Sequence, residues 1–154
     1  RVNIMSPGGG VGGHCIAVDP WFLVSDDIEN TKLIRAARDI NDSKTLWAFK
    51  KIKEKLDDII KPKVAIFGLA YKPDIDDLRE SPSMRLAKIL GKDYEVFGVE
   101  PNVSTNDEVE LISIDKAFTE CDFAVICVPH KEFLTDEFLL KLNSKPHLAF
   151  CELK

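Results

Sequence analysis

The chain has 154 residues, enough for one domain with a hydrophobic core and some further length for an arm or an interface helix. Its balance of apolar and charged residues is typical of a globular protein, and its net charge of −5 argues against a broad basic surface for nucleic acid. No apolar run is long enough to span a bilayer and no signal peptide opens the chain, so we expect a cytoplasmic protein that makes no membrane contact.

Cysteine and histidine show no metal-binding pattern. The four cysteines contain no C-x-x-C pair, and the three histidines are scattered. Cys127 and Cys151 lie in apolar runs and are predicted to be core residues in strands, with reduced thiols. We therefore predict that the protein binds no metal.

A glycine-rich stretch comes first in the chain. Five of the six residues from 8 to 13 are glycine, and Cys15 follows. Glycine permits positive φ angles and lets a ligand approach the main chain. A free cysteine is ordinarily a small buried side chain. A cysteine next to so many glycines is harder to pack in a core, which favours the interpretation that its thiol is a nucleophile.

The same stretch matches the dinucleotide fingerprint G-x-G-x-x-G at Gly8, Gly10 and Gly13. That motif requires a strand before it and a helix opening on its last glycine. Pro7 precedes the motif, and the few residues upstream are too short a run for a βαβ unit, so we do not favour this interpretation.

Two helices are predicted next. Asp19 as N-cap and Pro20 as first helical residue fit the start of a short helix, which would set Cys15 near its positive end. From about Thr31 to Leu56, apolar residues recur at near-helical spacing with charged residues between them. A helix of this length with apolar residues spread round it is either a core helix or an interface helix.

After Lys61-Pro62-Lys63 the chain alternates between strand and helix patterns. Strands are predicted at Val64–Phe67, Tyr94–Val99, Phe123–Val128 and His147–Cys151, helices at Ser83–Leu90 and Lys131–Leu142, and a turn or short helix at Ile112–Phe118. This alternation predicts an α/β fold with a doubly wound parallel sheet. Such sheets bind ligands at the carboxyl ends of their strands.

The loop after the first predicted strand carries two cations, Lys72 and Arg79, in otherwise acidic sequence. A solvated loop with incidental charges and a loop that binds phosphate or carboxylate both fit this pattern.

Two blocks of sequence resemble one enzyme family. GVGGHCIAVDPWFLV resembles the active-site loop of the UDP-sugar 6-dehydrogenases, above all the branch acting on UDP-N-acetyl-D-mannosamine. KVAIFGLAYKPDIDDLRESPSM resembles the start of that family's C-terminal UDP-binding domain. The resemblance covers essentially the whole chain, and implies a cysteine loop and central helix over residues 1–60 and a Rossmann-like UDP-sugar-binding domain over residues 61–154.

The resemblance also implies catalytic and cofactor roles. Cys15 matches the catalytic nucleophile, and Asp19 matches the aspartate that orients and polarises groups during hydrolysis. Arg79 matches an arginine that reaches the NAD of the neighbouring domain.

Sugar-nucleotide contacts are implied in the same way. The residues that match such positions are Tyr71, Lys72, Arg1 and, through their backbone, Gly9 and Gly12. Glu100, at the end of the second predicted strand, is left without a role.

Two residues depart from the pattern of the family's glucose-oxidising branch and bear on the choice of substrate. His14 and Val18 stand where the glucose-oxidising branch has serine and lysine, which favours an N-acetyl-hexosamine. UDP-glucose and UDP-N-acetyl-glucosamine remain alternatives. The family continues beyond residue 154 with a basic segment, so the sheet is expected to lack a final element.

The implied reaction is a four-electron oxidation of the sugar C6 alcohol to a carboxylate with two NAD molecules, through an aldehyde, a thiohemiacetal and a thioester on the cysteine. The family forms homodimers through the central helix, here residues 31–56. Because the N-terminal NAD domain is absent from this chain, we expect no turnover by the chain alone. A UDP-binding module without catalysis and a thiol-based redox sensor are the other classes considered.

Overall fold

The computed structural model describes residues 8–144 and the backbone of residues 149–152. Its elements are α1 (Asp19–Asp26), α2 (Lys32–Leu56), β1 (Lys63–Phe67), α3 (Pro82–Leu90), β2 (Glu95–Val99), β3 (Glu110–Leu111), α4 (Ile114–Glu120), β4 (Phe123–Ile126), a 3-10 turn (Lys131–Leu134), α5 (Asp136–Asn143) and β5 (Ala149–Glu152). Among these, no helix combines the length and apolarity that crossing a bilayer requires.

The described strands form one sheet in the order β3-β2-β1-β4-β5, and every neighbouring pair is parallel. The chain winds outward from β1 to one side and then from β4 to the other, so the direction reverses between these two central strands. Doubly wound sheets bind ligands at the carboxyl edge beside this switch point. The predicted α/β fold with a doubly wound parallel sheet is confirmed.

Alternate residues of β1 face two separate halves of the core. Val64 and Ile66 pack in a cluster with residues of α2 and α3, whereas Ala65 and Phe67 pack in a second cluster with α4 and α5. The strand is a continuous apolar run because both of its faces are covered.

The last turns of α2 belong to the core of the sheet. Ala48, Ile52 and Leu56 are fully buried in the first cluster. The part of the same helix before Ala48 is different, because the side chains that it buries there are Arg38 and Thr45. The buried face of α2 therefore changes from polar to apolar along its length.

Two local predictions are wrong. Val18, not Asp19, precedes α1, and Asp19 is the first helical residue with no capping side-chain bond. The helix predicted at 131–142 is divided, because Thr135 adopts an extended conformation and its hydroxyl accepts a hydrogen bond from the Phe138 N–H. A side chain that caps the backbone in this way starts a new helix.

The cysteines of the sheet region are placed differently from one another. Cys121 is buried, and burial raises the pKa of its thiol to about 11. Cys127 lies just beyond β4 and is half-buried, so the prediction that it belongs to the strand is wrong by one residue. The backbone of Cys151 lies in β5 as predicted.

Strand β3 was not predicted, because two residues are too few to show an alternating pattern.

Candidate functional site

The glycine-rich stretch lies directly against the loop that follows β1. A Cβ atom on Gly12 would overlap the Glu80 carbonyl oxygen and lie 2.8 Å from Cδ of Pro82. A Cβ on Gly13, whose φ is +91°, would lie 2.9 Å from the Tyr71 ring. Glycine is required at both positions because two segments of this chain press together.

Asn41 of α2 holds the middle of the glycine-rich stretch. Its Oδ1 accepts a hydrogen bond from the Val11 N–H at 2.7 Å, and its Nδ2 donates to the Val11 carbonyl at 3.1 Å. Next to it, Asp42 accepts a hydrogen bond from Arg38 at 2.8 Å and lies 3.7 Å from Arg85 of α3. Asn41 therefore ties the stretch to α2, and Asp42 ties α2 to α3.

Cys15 and Asp19 lie at the turn into α1. The Cys15 carbonyl accepts hydrogen bonds from the Val18 N–H at 3.0 Å and the Asp19 N–H at 2.8 Å. Both side chains are exposed, and neither forms a hydrogen bond or ion pair within residues 8–144. The thiol and the carboxylate are therefore open to a ligand.

Arg79 lies close to the cysteine loop. Its guanidinium binds both carboxylate oxygens of Asp77, with Nε to Oδ1 at 2.9 Å and Nη2 to Oδ2 at 2.6 Å. Hydrogen bonds from Arg79 lower the pKa of Asp77 to about 2. The pKa of Arg79 is raised, first by its hydrogen bonds to Asp77 and to a smaller extent by Tyr71 and Cys15. The thiol, the phenol and the guanidinium therefore share one electrostatic environment.

His14 adds an aromatic and a charged contact to the same place. Its ring meets the Tyr71 ring edge-on with 6.5 Å between centroids, and its Nδ1 lies 3.9 Å from the Asp77 carboxylate. His14 therefore links the cysteine loop to the loop that follows β1.

Lys72 extends from the same strand-end loop as Tyr71. It is exposed and forms no ion pair in the part of the chain that the structure describes. The Tyr71 N–H donates to the Asp77 carbonyl at 3.1 Å, which closes the loop on itself. An uncompensated ammonium group at the carboxyl edge of a parallel sheet can bind a phosphate.

The predicted site residues fall into two groups. The structure brings together the loop of Gly12 and Cys15, the turn of Tyr71 and Lys72, and Arg79. Gly9 instead lines a small cleft beside Pro82 and Cys127, and Arg1 lies outside the described residues. No group of three metal-ligating side chains is found among the residues described.

A buried carboxylate, Glu100, lies at the end of β2. Its side chain is fully buried and accepts hydrogen bonds from His130 Nε2 at 3.0 Å, the Ala70 N–H at 3.0 Å and the Leu69 N–H at 2.7 Å. Burial opposes ionisation, but the hydrogen bonds from His130 and from the amides of Ala70, Asn102 and Leu69 outweigh it and lower its pKa to about 2.

The low pKa of Glu100 has a defined effect on stability. Because the folded-state value lies below the ordinary 4.5, the ionised carboxylate stabilises the fold above about pH 4.5. That contribution is lost as the pH falls toward about 2.

Sequence reasoning missed Asn41, Glu100 and His130 as site residues. One signal could have found Asn41: Arg38, Asn41 and Thr45 continue, at helical spacing, the face that carries Ala48 and Ile52. Polar residues on a buried helix face require partners, and here the glycine-rich stretch supplies one of them.

The fold and the two loops define an α/β domain of the nucleotide-binding type joined to a loop that carries an exposed cysteine. The profile of the UDP binding domain of the UDP-glucose/GDP-mannose dehydrogenase family matches residues 65–150, and the profile of that family's central domain matches residues 1–43. The chain therefore belongs to the UDP-glucose/GDP-mannose dehydrogenase family.

The chain is also similar to individual members of this family. UDP-N-acetyl-D-mannosamine dehydrogenase of Campylobacter jejuni is 42% identical over 98% of this chain, and that of Escherichia coli (strain K12) is 42% identical over 86%. A solved UDP-D-ManNAc dehydrogenase from Pyrococcus horikoshii covers the whole chain with a TM-score of 0.83 and 35% identity. The chain spans 38%, 35% and 37% of the length of these three proteins.

We expect the Asn41→Leu variant to loosen the glycine-rich stretch, because leucine has similar size but forms neither bond to Val11. Amide hydrogen exchange between residues 10 and 14 should accelerate about tenfold, the effect of losing about 1.4 kcal/mol of hydrogen bonding. Hydrogen exchange read by mass spectrometry measures this. Ser43→Ala, on the exposed side of α2, serves as control and should leave the exchange unchanged. Equal protection in Asn41→Leu and wild type would show that the stretch does not depend on Asn41.

Proposed function

We propose that this chain is the cysteine-loop, central-helix and UDP-binding part of an NAD-dependent dehydrogenase that oxidises the C6 alcohol of UDP-N-acetyl-D-mannosamine to the uronate. The observation that carries the proposal is the contact between the Cys15 loop and the loop of Tyr71, Lys72 and Arg79 at the carboxyl edge of the sheet. The identity to UDP-N-acetyl-D-mannosamine dehydrogenases supports the choice of sugar.

In this proposal the two parts of the chain have different roles. Residues 1–60 supply the cysteine and the central helix, and residues 61–154 bind the UDP moiety. Tyr71 and Lys72 contact the sugar nucleotide, with Arg1, Gly9 and Gly12 as further contacts. The exposed Lys72 ammonium is suited to the diphosphate, because it has no protein carboxylate to neutralise it within residues 8–144.

Cys15 performs the covalent chemistry. Its thiolate adds to the C6 aldehyde, and the oxygen takes up a proton to give a thiohemiacetal. Departure of a hydride from C6 and of the hydroxyl proton leaves a thioester on Cys15, and attack of water on the thioester carbonyl breaks the C–S bond to release the acid and the free thiol. Asp19 orients the groups that take part in the hydrolysis. NAD, when bound, accepts the electrons of both oxidation steps.

The described residues offer NAD one contact rather than a complete site. Arg79 is exposed and keeps Nη1 free of Asp77, so it can reach a phosphate of a cofactor bound by another part of the enzyme. In dinucleotide-binding sheets an acidic residue after the second strand binds the ribose hydroxyls. Here Glu100 has that position, but protein donors already occupy both of its oxygens. We therefore propose that this sheet binds UDP and that NAD binds outside the described residues.

The cytoplasmic location of the protein stays a prediction from the sequence.

Calorimetric titration of the chain with UDP tests the nucleotide site. We expect UDP to bind, NAD alone not to bind, and Lys72→Met to weaken UDP binding about tenfold, which is about 1.4 kcal/mol. Lys92→Met is the matched control, because Lys92 is also exposed and follows α3 at the opposite edge of the sheet. Binding of NAD without UDP would assign the sheet to the cofactor instead.

The exposed face of α2 supports a homodimer. Leu33, Ile40 and Trp47 are spaced by seven residues and are 82%, 66% and 47% exposed. Apolar residues repeated every seven positions form a stripe along one side of a helix, as helices that pack against a partner helix do.

Size-exclusion chromatography with light scattering tests the dimer. Ile40→Glu should shift the chain from dimer to monomer, because it places a charge in the middle of the stripe. Arg35→Glu introduces the same side chain on another side of the helix and should leave the dimer intact. A monomeric wild-type chain would contradict the proposal.

In the complete enzyme that contains this chain, we expect Cys15→Ser to abolish formation of the sugar acid while UDP affinity stays at the wild-type level. A serine hydroxyl occupies the same position but is a far weaker nucleophile toward the aldehyde. Product analysis by mass spectrometry measures the acid. Acid formation at the wild-type rate would exclude the covalent role of Cys15.

A further inference from the structure

We propose that Glu100 and His130 are positioning residues of the nucleotide site, which hold the turn of Tyr71 and Lys72 so that the Lys72 ammonium faces a bound diphosphate. The identity of the ligand rests on the proposed function. The anchoring of the turn rests on the geometry alone. Neither residue contacts the nucleotide in this proposal.

The first anchor is Glu100. One of its oxygens, Oε2, accepts hydrogen bonds from the Leu69 N–H at 2.7 Å and the Ala70 N–H at 3.0 Å. These are the two amides directly before Tyr71, where the chain leaves β1. A single carboxylate oxygen therefore fixes the direction in which the chain enters the turn.

The second anchor is His130, and its hydrogen bonds define its tautomer. The Asp74 N–H lies 2.9 Å from His130 Nδ1, and an amide can only donate, so Nδ1 carries no proton. Nε2 therefore carries the proton and donates it to Glu100 at 3.0 Å. The ring joins the two anchors into one chain of hydrogen bonds.

The turn between the anchors is held in a strained shape. Asp74 has a φ of +59°, in the left-handed region that costs free energy for a residue with a Cβ. Its own carboxylate accepts a hydrogen bond from the Lys131 N–H at 3.0 Å, next to His130. The residues on both sides of the Tyr71–Lys72 pair are thus fixed, while the Lys72 side chain stays exposed.

The location of this network indicates function as well as stability. Glu100 directly follows β2 and His130 follows β4, and both reach the loop after β1 from its two sides. A buried carboxylate is costly, and apolar side chains could fill the same volume at lower cost. Here the charge lies at the carboxyl edge of the sheet, where it organises backbone amides next to the predicted ligand site.

The test is UDP titration of the chain carrying Glu100→Gln, His130→Ala and both substitutions. We expect each single variant to weaken UDP binding about tenfold, equivalent to about 1.4 kcal/mol, and the double variant to be little worse than either one. Leu56→Ala is the control, because Leu56 is buried beside Pro62 and Glu95 at the amino edge of the sheet, opposite the turn, so its loss should leave UDP affinity unchanged. Affinity lost equally in Leu56→Ala would show a general effect of reduced stability and would overturn the proposal.

Two measurements need no ligand. Nitrogen chemical shifts should show a neutral His130 ring protonated at Nε2, and amide exchange at Leu69, Ala70 and Asp74 should accelerate in Glu100→Gln. Wild-type protection of these amides in that variant would overturn the anchoring. If Glu100→Gln does not fold, Asn102→Ala replaces it, since Asn102 Nδ2 lies 3.1 Å from His130 Nδ1 and 3.4 Å from Glu100. We expect about a threefold loss of UDP affinity, on the scale of one partly exposed hydrogen bond.

The outcomes separate the two proposals. Wild-type UDP affinity in Glu100→Gln, together with weak binding by Lys72→Met, would overturn the positioning role and leave the proposed function standing. A wild-type chain that binds no UDP would overturn the proposed function, and the amide protection would then decide the anchoring independently.

Discussion

The candidate site depends on the close contact between the glycine-rich stretch and the loop after β1. Gly12 lets the chain approach the Glu80 carbonyl, and Gly13 lets it approach the Tyr71 ring, within distances that a side chain would prevent. This contact places Cys15 next to a loop that belongs to a different part of the sequence. Without it, the thiol and the cations of the strand-end loop would belong to two unconnected segments. Asn41 of α2 holds the glycine-rich stretch on one side, and the Arg79 guanidinium, paired with Asp77, lies 3.5 Å from His14 on the other.

The helix α2 connects the two parts by changing the character of its buried face. Its last turns bury Ala48, Ile52 and Leu56 and form part of the sheet's core, whereas its middle turns carry polar side chains, of which the half-buried Asn41 binds the glycine-rich stretch. Apolar packing is tolerant of small shifts, but a pair of hydrogen bonds on one residue fixes both distance and direction. The same helix therefore supplies stability in its last turns and accurate placement in its middle turns.

Whether a feature could be predicted from the sequence depends on how far apart along the chain its interacting residues lie. Strand and helix patterns are local, so the four strands at Val64, Tyr94, Phe123 and His147 were predicted with ends that differ by no more than two residues. The division at Thr135 was missed because apolar periodicity continues across it while a single hydroxyl caps a new helix. The roles of Asn41, Glu100 and His130 depend on partners about 30 residues or more away. A single sequence does not show such pairings. The glycine-rich flank and the strand-end position singled out Cys15 and Lys72, but only the family resemblance assigned them roles.

The network around Glu100 also indicates how a doubly wound sheet can serve a mononucleotide. In sheets that bind dinucleotides, the acidic residue after the second strand is open to the ribose. Here the same position faces inward, where Leu69, Ala70, Asn102 and His130 saturate it. A carboxylate without free lone pairs cannot recognise a ribose, but it can give the adjoining loop one conformation. In the site that we propose, the binding edge relies on what that loop presents, namely an exposed ammonium and an aromatic ring beside the cysteine, which suits a ligand that carries a diphosphate toward a thiol.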